Sequence, residues 1–337
     1  MVERIDLGAR GRVEASPERF LASLRGPTLF RRAGRDPSRV RVASGLMHGN
    51  EPSGFRAVHR ALSEDLTPET DVWFLVGAVE AALAPPGFAH RMLPGRRDLN
   101  RCWRAPFDGP DGEAARDALS TLLAVTPEAV VDLHNNTGRN PAYVLSSRVD
   151  AAAITLCGHF ATRLVHNEIR LGTFVEAFDH LCPAATVECG RAGDPQADAT
   201  AWAGLQRFLR ASSFSGLAVE AEPVAVLRDP ARVRLREGLS LAFAERPIDG
   251  VDVTFDAEVD RHNFETLAAG SVLAWVRPEV AWPVEAVDAS GRDLSRELFS
   301  LDAGALVTRA PMVPIMMTTS VAAATSDCLF YAAHHTG

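Results

Sequence analysis

The chain has 337 residues, of which 47% are hydrophobic and 23% are charged, and its formal net charge at pH 7 is -8. This composition is typical of a folded globular protein with a sizeable core. The acidic balance argues against nucleic acid as the main partner, because phosphate groups need a basic surface. No segment approaches the roughly 20 apolar residues of a membrane-spanning helix, and the first residues lack an apolar signal core. We therefore expect a cytoplasmic protein without a membrane partner.

Cysteine usage indicates a reducing compartment. The cysteines are odd in number, scattered, and not in CxxC spacing. This pattern predicts reduced thiols and neither a disulfide framework nor a zinc knuckle. The residues concerned are Cys102, Cys157, Cys182, Cys189 and Cys328.

The first two thirds of the chain alternate strand-like and helix-like segments. In chain order we predict a strand at 40–47, a helix at 52–66, a strand at 72–79, a helix at 111–125, a strand at 129–133, a helix at 151–166, a strand at 184–189 and a helix at 196–210. The helices have apolar residues at helical spacing, for example Ala115, Leu119 and Leu122. Such alternation predicts an α/β fold with a mixed, mostly parallel sheet flanked by helices.

The pattern changes after a small polar segment at 211–216, which is suited to a linker. The runs beyond it are short and strand-like. They lie at 218–227, 233–243, 251–259, 271–276 and 305–308. We therefore predict two domains, a catalytic domain at 1–212 and a smaller β-rich domain at 213–337.

Three of the predicted strands lead into residues that can bind a metal or move a proton. His48 and Glu51 follow the strand at 40–47, His134 follows the one at 129–133, and Glu188 lies at the end of the one at 184–189. Ligands bind beyond the carboxyl ends of the strands in open α/β sheets, so these side chains should converge. Two imidazoles and one carboxylate form a common catalytic zinc shell. The His-x-x-Glu spacing alone is a weak signal, since a lone histidine or glutamate is more often a hydrogen-bonded structural residue.

Four ordered motifs make the pattern specific. They are GLMHGNE at 45–51, DLNR at 98–101, VDLHN at 131–135 and TVECG at 186–190. Together they resemble the succinylglutamate desuccinylase/aspartoacylase family of zinc carboxypeptidase-like hydrolases. The resemblance covers roughly residues 40 to 190, and the β-rich tail fits the family's smaller C-terminal domain more loosely. It implies a zinc carboxypeptidase-like fold and deacylation of a small-molecule N-acyl amino acid by water that the metal activates.

The resemblance also implies roles for individual residues. His48, Glu51 and His134 match the ligands of one zinc ion (Zn2+) per chain. Glu188 matches the catalytic carboxylate that accepts a proton from water and returns it to the leaving amine. An open coordination position would allow the metal to polarise a carbonyl group.

Substrate contacts are implied for the DLNR motif and expected for the basic residues before it. Asn100 and Arg101 match residues that touch the substrate, and Arg101 is also expected to stabilise the developing oxyanion. Arg97 and Arg91 are candidates for binding a substrate carboxylate. The alternatives are a salt bridge from Arg101 to Asp98 and solvated loop charges upstream.

Departures from the family leave the acyl group and the amino acid open. The chain has only two tyrosines, Tyr143 and Tyr331, and neither lies in a tail motif expected of an aspartoacylase. Segment 76–79 (VGAV) stands where relatives often have Gly-Asn. Two other functions also stay open: a zinc carboxypeptidase acting on short peptides, and a catalytically inactive small-molecule binding protein. A homo-oligomer formed through apolar tail residues is left open as well.

Overall fold

The structure, a computed structural model, describes residues 2–8, 12–214 and 224–335. The chain divides into two compact units. The first comprises Met1–Asn135, Ala142–Leu164 and Arg170–Ala225, and the second comprises Asn136–Pro141, Val165–Ile169 and Val226–Gly337. The predicted linker at 211–216 and the predicted strand at 218–227 fall partly on residues outside those described. The domain boundary predicted after residue 212 stays a prediction.

The elements up to residue 210 alternate between strands and helices. The strands are β1 (Glu3–Asp6), β2 (Thr28–Arg32), β3 (Asp36–Gly45), β4 (Thr70–Val76), β5 (Ala129–Asn136), β6 (Tyr143–Ser146), β7 (Arg163–His166) and β8 (Ala184–Arg191). The helices are α1 (Pro17–Ser23), α2 (Pro52–Ser63), α3 (Val79–Leu83), α4 (Gly109–Ala124), α5 (Ala151–Gly158) and α6 (Pro195–Arg210).

The strands of the first unit form a mixed sheet in the order β1-β2-β4-β3-β5-β8-β6. The β1/β2, β3/β4 and β3/β5 pairs are parallel, whereas β2/β4 and β6/β8 are antiparallel. A mixed α/β fold is therefore confirmed. Strands β3, β5 and β8 are neighbours in this order, which brings the three site segments to adjacent strands.

Burial explains why these segments are central strands. All eight residues of β5 are buried, as are six of the seven in β4, and such continuous burial is typical of a strand covered on both faces. Apolar side chains from β2, β3, β4 and β5 pack together in one core cluster. This cluster includes Leu29, Val42, Leu75, Val130 and, from α4, Ala118 and Leu122.

Two predicted elements were wrong. The helix predicted at 151–166 ends at Gly158, and 163–166 forms β7, in which Leu164 and Val165 are buried. Glycine is a poor residue for continuing a helix, and the buried Leu-Val pair is stabilised in a strand. The strand predicted at 233–243 is interrupted, because β9 ends at Leu235 and Gly238 has a positive φ of 84° in the turn that follows.

The chain from residue 224 to residue 335 consists mainly of short strands. They are β9 (Ala225–Leu235), β10 (Leu241–Ala244), β11 (Val253–Asp256), β12 (Val272–Val276), β13 (Val284–Val287), β14 (Phe299–Asp302), β15 (Ala305–Thr308), β16 (Val313–Ile315) and β17 (Phe330–His335). Two short helices accompany them, α7 (Ser295–Leu298) and α8 (Val321–Ser326). Strands β9, β17 and β16 are adjacent, β13 pairs with β9, and a separate sheet has the order β10-β11-β12-β15-β14.

Two further sequence expectations concern helix length and thiols. The longest helices of the described chain, α4 and α6, have 16 residues each, and none of its helices combines the length and apolar character that a membrane crossing requires. The five cysteines are free thiols and all are buried. No disulfide joins them in the structure.

Candidate metal centre

The turn between β3 and α2 carries two of the predicted ligands. Strand β3 ends at Gly45, Leu46 turns the chain with a positive φ of 64°, and α2 begins at Pro52. Proline suits the first helical position because its missing N–H would have no helical acceptor there. His48 and Glu51 are both buried, and Glu51 occupies the N-cap position of α2.

The first turn of α2 lies directly against β5. A Cβ atom on Gly54 would lie 2.4 Å from the carbonyl oxygen of Leu133, a distance that no side chain tolerates. Glycine at this position therefore allows the helix that follows Glu51 to approach the strand that carries His134. The absence of a side chain at position 54 therefore determines how closely the segment with Glu51 can approach the segment with His134.

We expect Gly54→Ala to destabilise the protein by about 1–3 kcal/mol, the usual cost of overpacking a buried site. Helix propensity alone would instead stabilise the alanine variant by about 1 kcal/mol. The sign of the change in the free energy of unfolding therefore separates the two effects. Chemical denaturation of the wild-type protein and of Gly54→Ala measures this free energy. Gly87→Ala is the control, because a Cβ there meets no atom closer than 3.6 Å. An unchanged or raised stability in Gly54→Ala would show that the contact with β5 is not restrictive.

The third predicted ligand, His134, lies near the end of β5 and is buried. Its Nδ1 atom is 2.7 Å from Glu51 Oε2, and His48 Nδ1 is 2.8 Å from Glu51 Oε1. One ligand atom from each of the three residues can be chosen so that all lie within 4.8 Å of one another. The fold thus brings together three ligand residues, of which His48 and His134 lie 86 positions apart in the chain.

Each imidazole has a second carboxylate at its other nitrogen. His134 Nε2 lies 2.6 Å from Asp132 Oδ2, and His48 Nε2 lies 3.2 Å from Asp98 Oδ1. A histidine that binds a metal through one nitrogen usually donates its other N–H to such a group, which fixes the tautomer and the ring orientation. The Asp98 contact was not anticipated, although Asp98 belongs to the DLNR motif.

The clustered side chains shift one another's pKa values. Burial opposes ionisation of Glu51, but the imidazoles of His48 and His134 outweigh it and hold the pKa of Glu51 well below its usual range. Burial likewise disfavours the imidazolium form of His134, yet the adjacent carboxylates raise its pKa well above the ordinary value.

Asp98 shows the same behaviour. Burial opposes its ionisation, and interactions with His48, Arg91 and Arg101 together hold the pKa of Asp98 well below its usual range. Buried carboxylates that stay ionised create a negative potential, and that potential favours a cation between the imidazoles.

Glu188, the predicted general base, lies on β8 and is buried. Its Oε2 atom has no hydrogen-bond partner among the described residues. Burial raises the pKa of Glu188 to about 8, with His134 opposing the shift and Glu51 adding to it. A carboxyl group with a pKa near neutrality can both accept and return a proton.

The predicted substrate residues lie at different distances from the ligands. Asn100 is buried, and its Nδ2 atom is 3.2 Å from His134 Nε2 while its Oδ1 atom accepts a hydrogen bond from the backbone N–H of Phe174. Arg101 donates a hydrogen bond from Nη1 to the Asn100 carbonyl over 3.0 Å. Its charge also lowers the pKa of Asp98, which puts its guanidinium within electrostatic reach of the cluster.

The two upstream arginines have other contacts. Arg91 donates two hydrogen bonds to Asp98 Oδ2, at 3.0 and 2.9 Å, and its Nη1 atom is 3.7 Å from Glu51 Oε1. Arg91 therefore forms the ion pair with Asp98 that the sequence had offered as an alternative for Arg101. Arg97 donates to the carbonyl groups of Pro106 and Asp108, which tie it to the following loop.

The donor set fits zinc. Two imidazole nitrogens and one carboxylate oxygen are a usual catalytic shell for this ion, with further positions left for water and substrate. The second carboxylates at Asp98 and Asp132 match the surroundings of metal-binding histidines. Glu188 adds a buried carboxyl group whose Oε2 atom has no hydrogen-bond partner among the described residues.

Comparison with known proteins finds similarity in structure and not in sequence. No family model matches the chain, and no curated protein matches it. A succinylglutamate desuccinylase structure from Vibrio parahaemolyticus has a TM-score of 0.62 at 14% identity, over 96% of this chain and 96% of that one. The product-bound ectoine utilization protein EutE (DoeB) from Ruegeria pomeroyi has a TM-score of 0.58 at 18% identity, over 91% and 88%. A mutant of murine aminoacylase 3 has a TM-score of 0.57 at 19% identity, over 90% and 96%.

The similar structures extend over nearly the whole of this chain and nearly the whole of their own chains. At these low sequence identities, the similarity concerns the backbone fold. The chain therefore has the mixed α/β fold of solved structures of the succinylglutamate desuccinylase/aspartoacylase group.

Proposed function

We propose that the protein is a zinc-dependent amidohydrolase of the succinylglutamate desuccinylase/aspartoacylase family, and that it removes the acyl group from a small N-acyl amino acid. The observation that carries the proposal is the cluster of His48, Glu51 and His134, whose donor atoms lie within 4.8 Å of one another. The four ordered sequence motifs and the shared fold support it. A zinc carboxypeptidase-like arrangement of the sheet and a β-rich C-terminal domain belong to the same proposal.

The three clustered residues would hold one zinc ion per chain. When bound, zinc supplies a Lewis acid that polarises the amide carbonyl and makes water more acidic. Asp98 and Asp132 would orient the two imidazoles, because each lies within 3.2 Å of the nitrogen that faces away from Glu51. A rigid pair of imidazoles lowers the cost of organising the site when metal and substrate arrive.

Glu188 would act as the general base and then the general acid. Its carboxylate takes a proton from the attacking water and later gives it to the leaving amine nitrogen. Arg101 would donate hydrogen bonds to the carbonyl oxygen as negative charge develops on it. The products are a carboxylate and a free amino acid.

Substrate recognition is proposed for Asn100, Arg101, Arg97 and Arg91. The contact of Asn100 with His134 and the electrostatic reach of Arg101 to Asp98 support a location beside the ligands for the first two. The substrate role of Arg97 and Arg91 stays a prediction. Arg97 donates a hydrogen bond to a loop carbonyl, and Arg91 donates to Asp98. The acyl group and the amino acid are left to experiment. A cytoplasmic location and a homo-oligomer also stay predictions.

The first experiment measures amine release from a panel of N-acyl amino acids. The panel combines acetyl, formyl and succinyl groups with acidic, basic and apolar amino acids, and it includes short peptides. We expect release from one subset of the N-acyl amino acids, loss of release with a chelator, and recovery when zinc is added back. Release from peptides alone would support a carboxypeptidase instead. Protein that holds one zinc per chain and releases amine from no member would contradict the proposed enzyme and favour a binding protein.

A further inference from the structure

The N-terminus of α2 has an unusual cap. The first backbone N–H groups of a helix have no acceptor within the helix, and the side chain at the N-cap position commonly supplies one. Glu51 is at that position, but its side chain makes no cap hydrogen bond. Its two oxygens face the imidazoles instead, Oε1 at 2.8 Å from His48 Nδ1 and Oε2 at 2.7 Å from His134 Nδ1.

Asn135 supplies the missing acceptor from another element. Its Oδ1 atom accepts a hydrogen bond from the backbone N–H of Ser53, in the first turn of α2, over 3.0 Å. The backbone N–H of Asn135 also donates to Glu51 Oε2 over 3.2 Å. Asn135 is 2% exposed, so water does not compete for these bonds.

The amide nitrogen of Asn135 makes two more contacts. Nδ2 donates to Ser53 Oγ over 2.9 Å and to the carbonyl oxygen of Gly190 over 3.1 Å. Gly190 lies on β8, two residues after Glu188. One side chain thus joins three segments: the helix start after Glu51, the strand end that holds His134, and the strand that holds Glu188.

The contacts continue from Ser53 to α6. Ser53 Oγ donates to Asp198 Oδ1 over 2.6 Å, and Arg56 Nη1 donates to Asp198 Oδ2 over 2.6 Å. Ser53 Oγ is therefore an acceptor toward Asn135 and a donor toward Asp198. This fixed direction of hydrogen bonding selects one orientation of the Asn135 amide.

We infer that Asn135 is a positioning residue. It caps α2 in place of Glu51, which leaves the Glu51 carboxylate available for metal binding. It also holds that carboxylate in position relative to His134 and Glu188. The inference rests on the proposed zinc site. Glu51 occupies the N-cap position, from which a side-chain oxygen commonly accepts a hydrogen bond from the second or third helical N–H. Without the Asn135 side chain, capping of α2 by the Glu51 carboxylate would therefore compete with binding of the ion. Loss of the Gly190 contact also removes a side-chain hydrogen bond between β5, which holds His134, and β8, which holds Glu188.

The test is the zinc affinity of Asn135→Ala, measured by competition with a chromogenic chelator. We expect the dissociation constant to rise roughly 10–100-fold, the usual effect of removing a group that orients metal ligands. The visible spectrum of the cobalt-substituted variant should change as well, because the ligand geometry alters. We expect kcat to fall while KM stays nearly unchanged, since Asn135 is not proposed to touch substrate.

Asn263→Ala is the matched control. Asn263 is a buried asparagine in the second unit whose side chain donates to the carbonyls of Arg139, Asp260 and Met317 and accepts from the Met317 N–H. Its replacement should lower the melting temperature and leave the zinc affinity and the cobalt spectrum of the folded protein unchanged. A role of Asn135 in folding alone would give the same result for both variants.

Ser53→Ala provides a milder variant that keeps the Ser53 backbone N–H and removes only the hydroxyl. If Asn135→Ala does not fold, a several-fold weaker zinc affinity in Ser53→Ala still supports the inference, and an unchanged affinity overturns it. A folded Asn135→Ala with wild-type affinity and spectrum overturns it directly. Wild-type protein that binds no zinc would instead refute the proposed function, and the inference with it.

Discussion

Glu188→Gln should keep its zinc and lose most of its turnover, with kcat reduced roughly 10²–10⁴-fold, the contribution expected of a general base. Glutamine has nearly the shape of glutamate but cannot accept the proton from water. The Glu188 side chain is buried, and its Oε2 atom has no hydrogen-bond partner among the described residues, so replacing that oxygen breaks no described hydrogen bond. The measurement combines kcat on the best panel substrate with metal analysis of the same sample.

Glu113→Gln is the control for this change. Glu113 is exposed on α4, and its replacement makes the same chemical alteration on the surface. It should leave both kcat and zinc content at wild-type values. If Glu188→Gln turns over at the wild-type rate, another group accepts the proton and the proposed mechanism is wrong.

His134→Ala should lose both zinc and activity. The change removes one of three proposed ligands and leaves Glu51 and Asp132 without the imidazole that lies 2.7 and 2.6 Å from them. A buried carboxylate deprived of its partner is destabilising by about 3–5 kcal/mol, so the melting temperature should fall too. Metal analysis after dialysis and a thermal melt measure the two effects.

A second variant separates metal loss from unfolding. His134→Asn keeps a polar side chain beside the carboxylates and should remain folded by circular dichroism while it binds less than one zinc per chain. His180→Ala, an exposed histidine in the loop before β8, is the control and should behave like wild type. Folded His134→Asn or His134→Ala with a full zinc content would remove His134 from the proposed ligand set.

The α/β alternation and the segments that contain the candidate site could be predicted from the amino-acid sequence. Mainly apolar segments indicated β3, β4, β5 and β8, because central strands are buried on both faces. The short motifs around His48, His134 and Glu188 carry the residue types that the chemistry requires, and those types are visible without a structure. Their convergence could be expected because neighbouring strands end at a common edge.

The sequence was less informative where local preference is weak. The helix predicted at 151–166 has helical composition in its first half, but Gly158 ends it and Leu164 and Val165 enter β7. A short Leu-Val run is compatible with either structure, and burial decides between them. The same limit applies to the short strands after residue 224, whose pairing depends on partners far away in the chain.

The contacts among polar groups around the ligands became visible in the three-dimensional structure. It placed His48 and Arg91 beside Asp98, two contacts that the sequence had not indicated. It also gave Asn135 its contacts with Ser53 and Gly190, which lie 82 and 55 positions away. Hydrogen bonds of this kind depend on directions and distances within about 3 Å, and these arise only when separate strands and helices pack together.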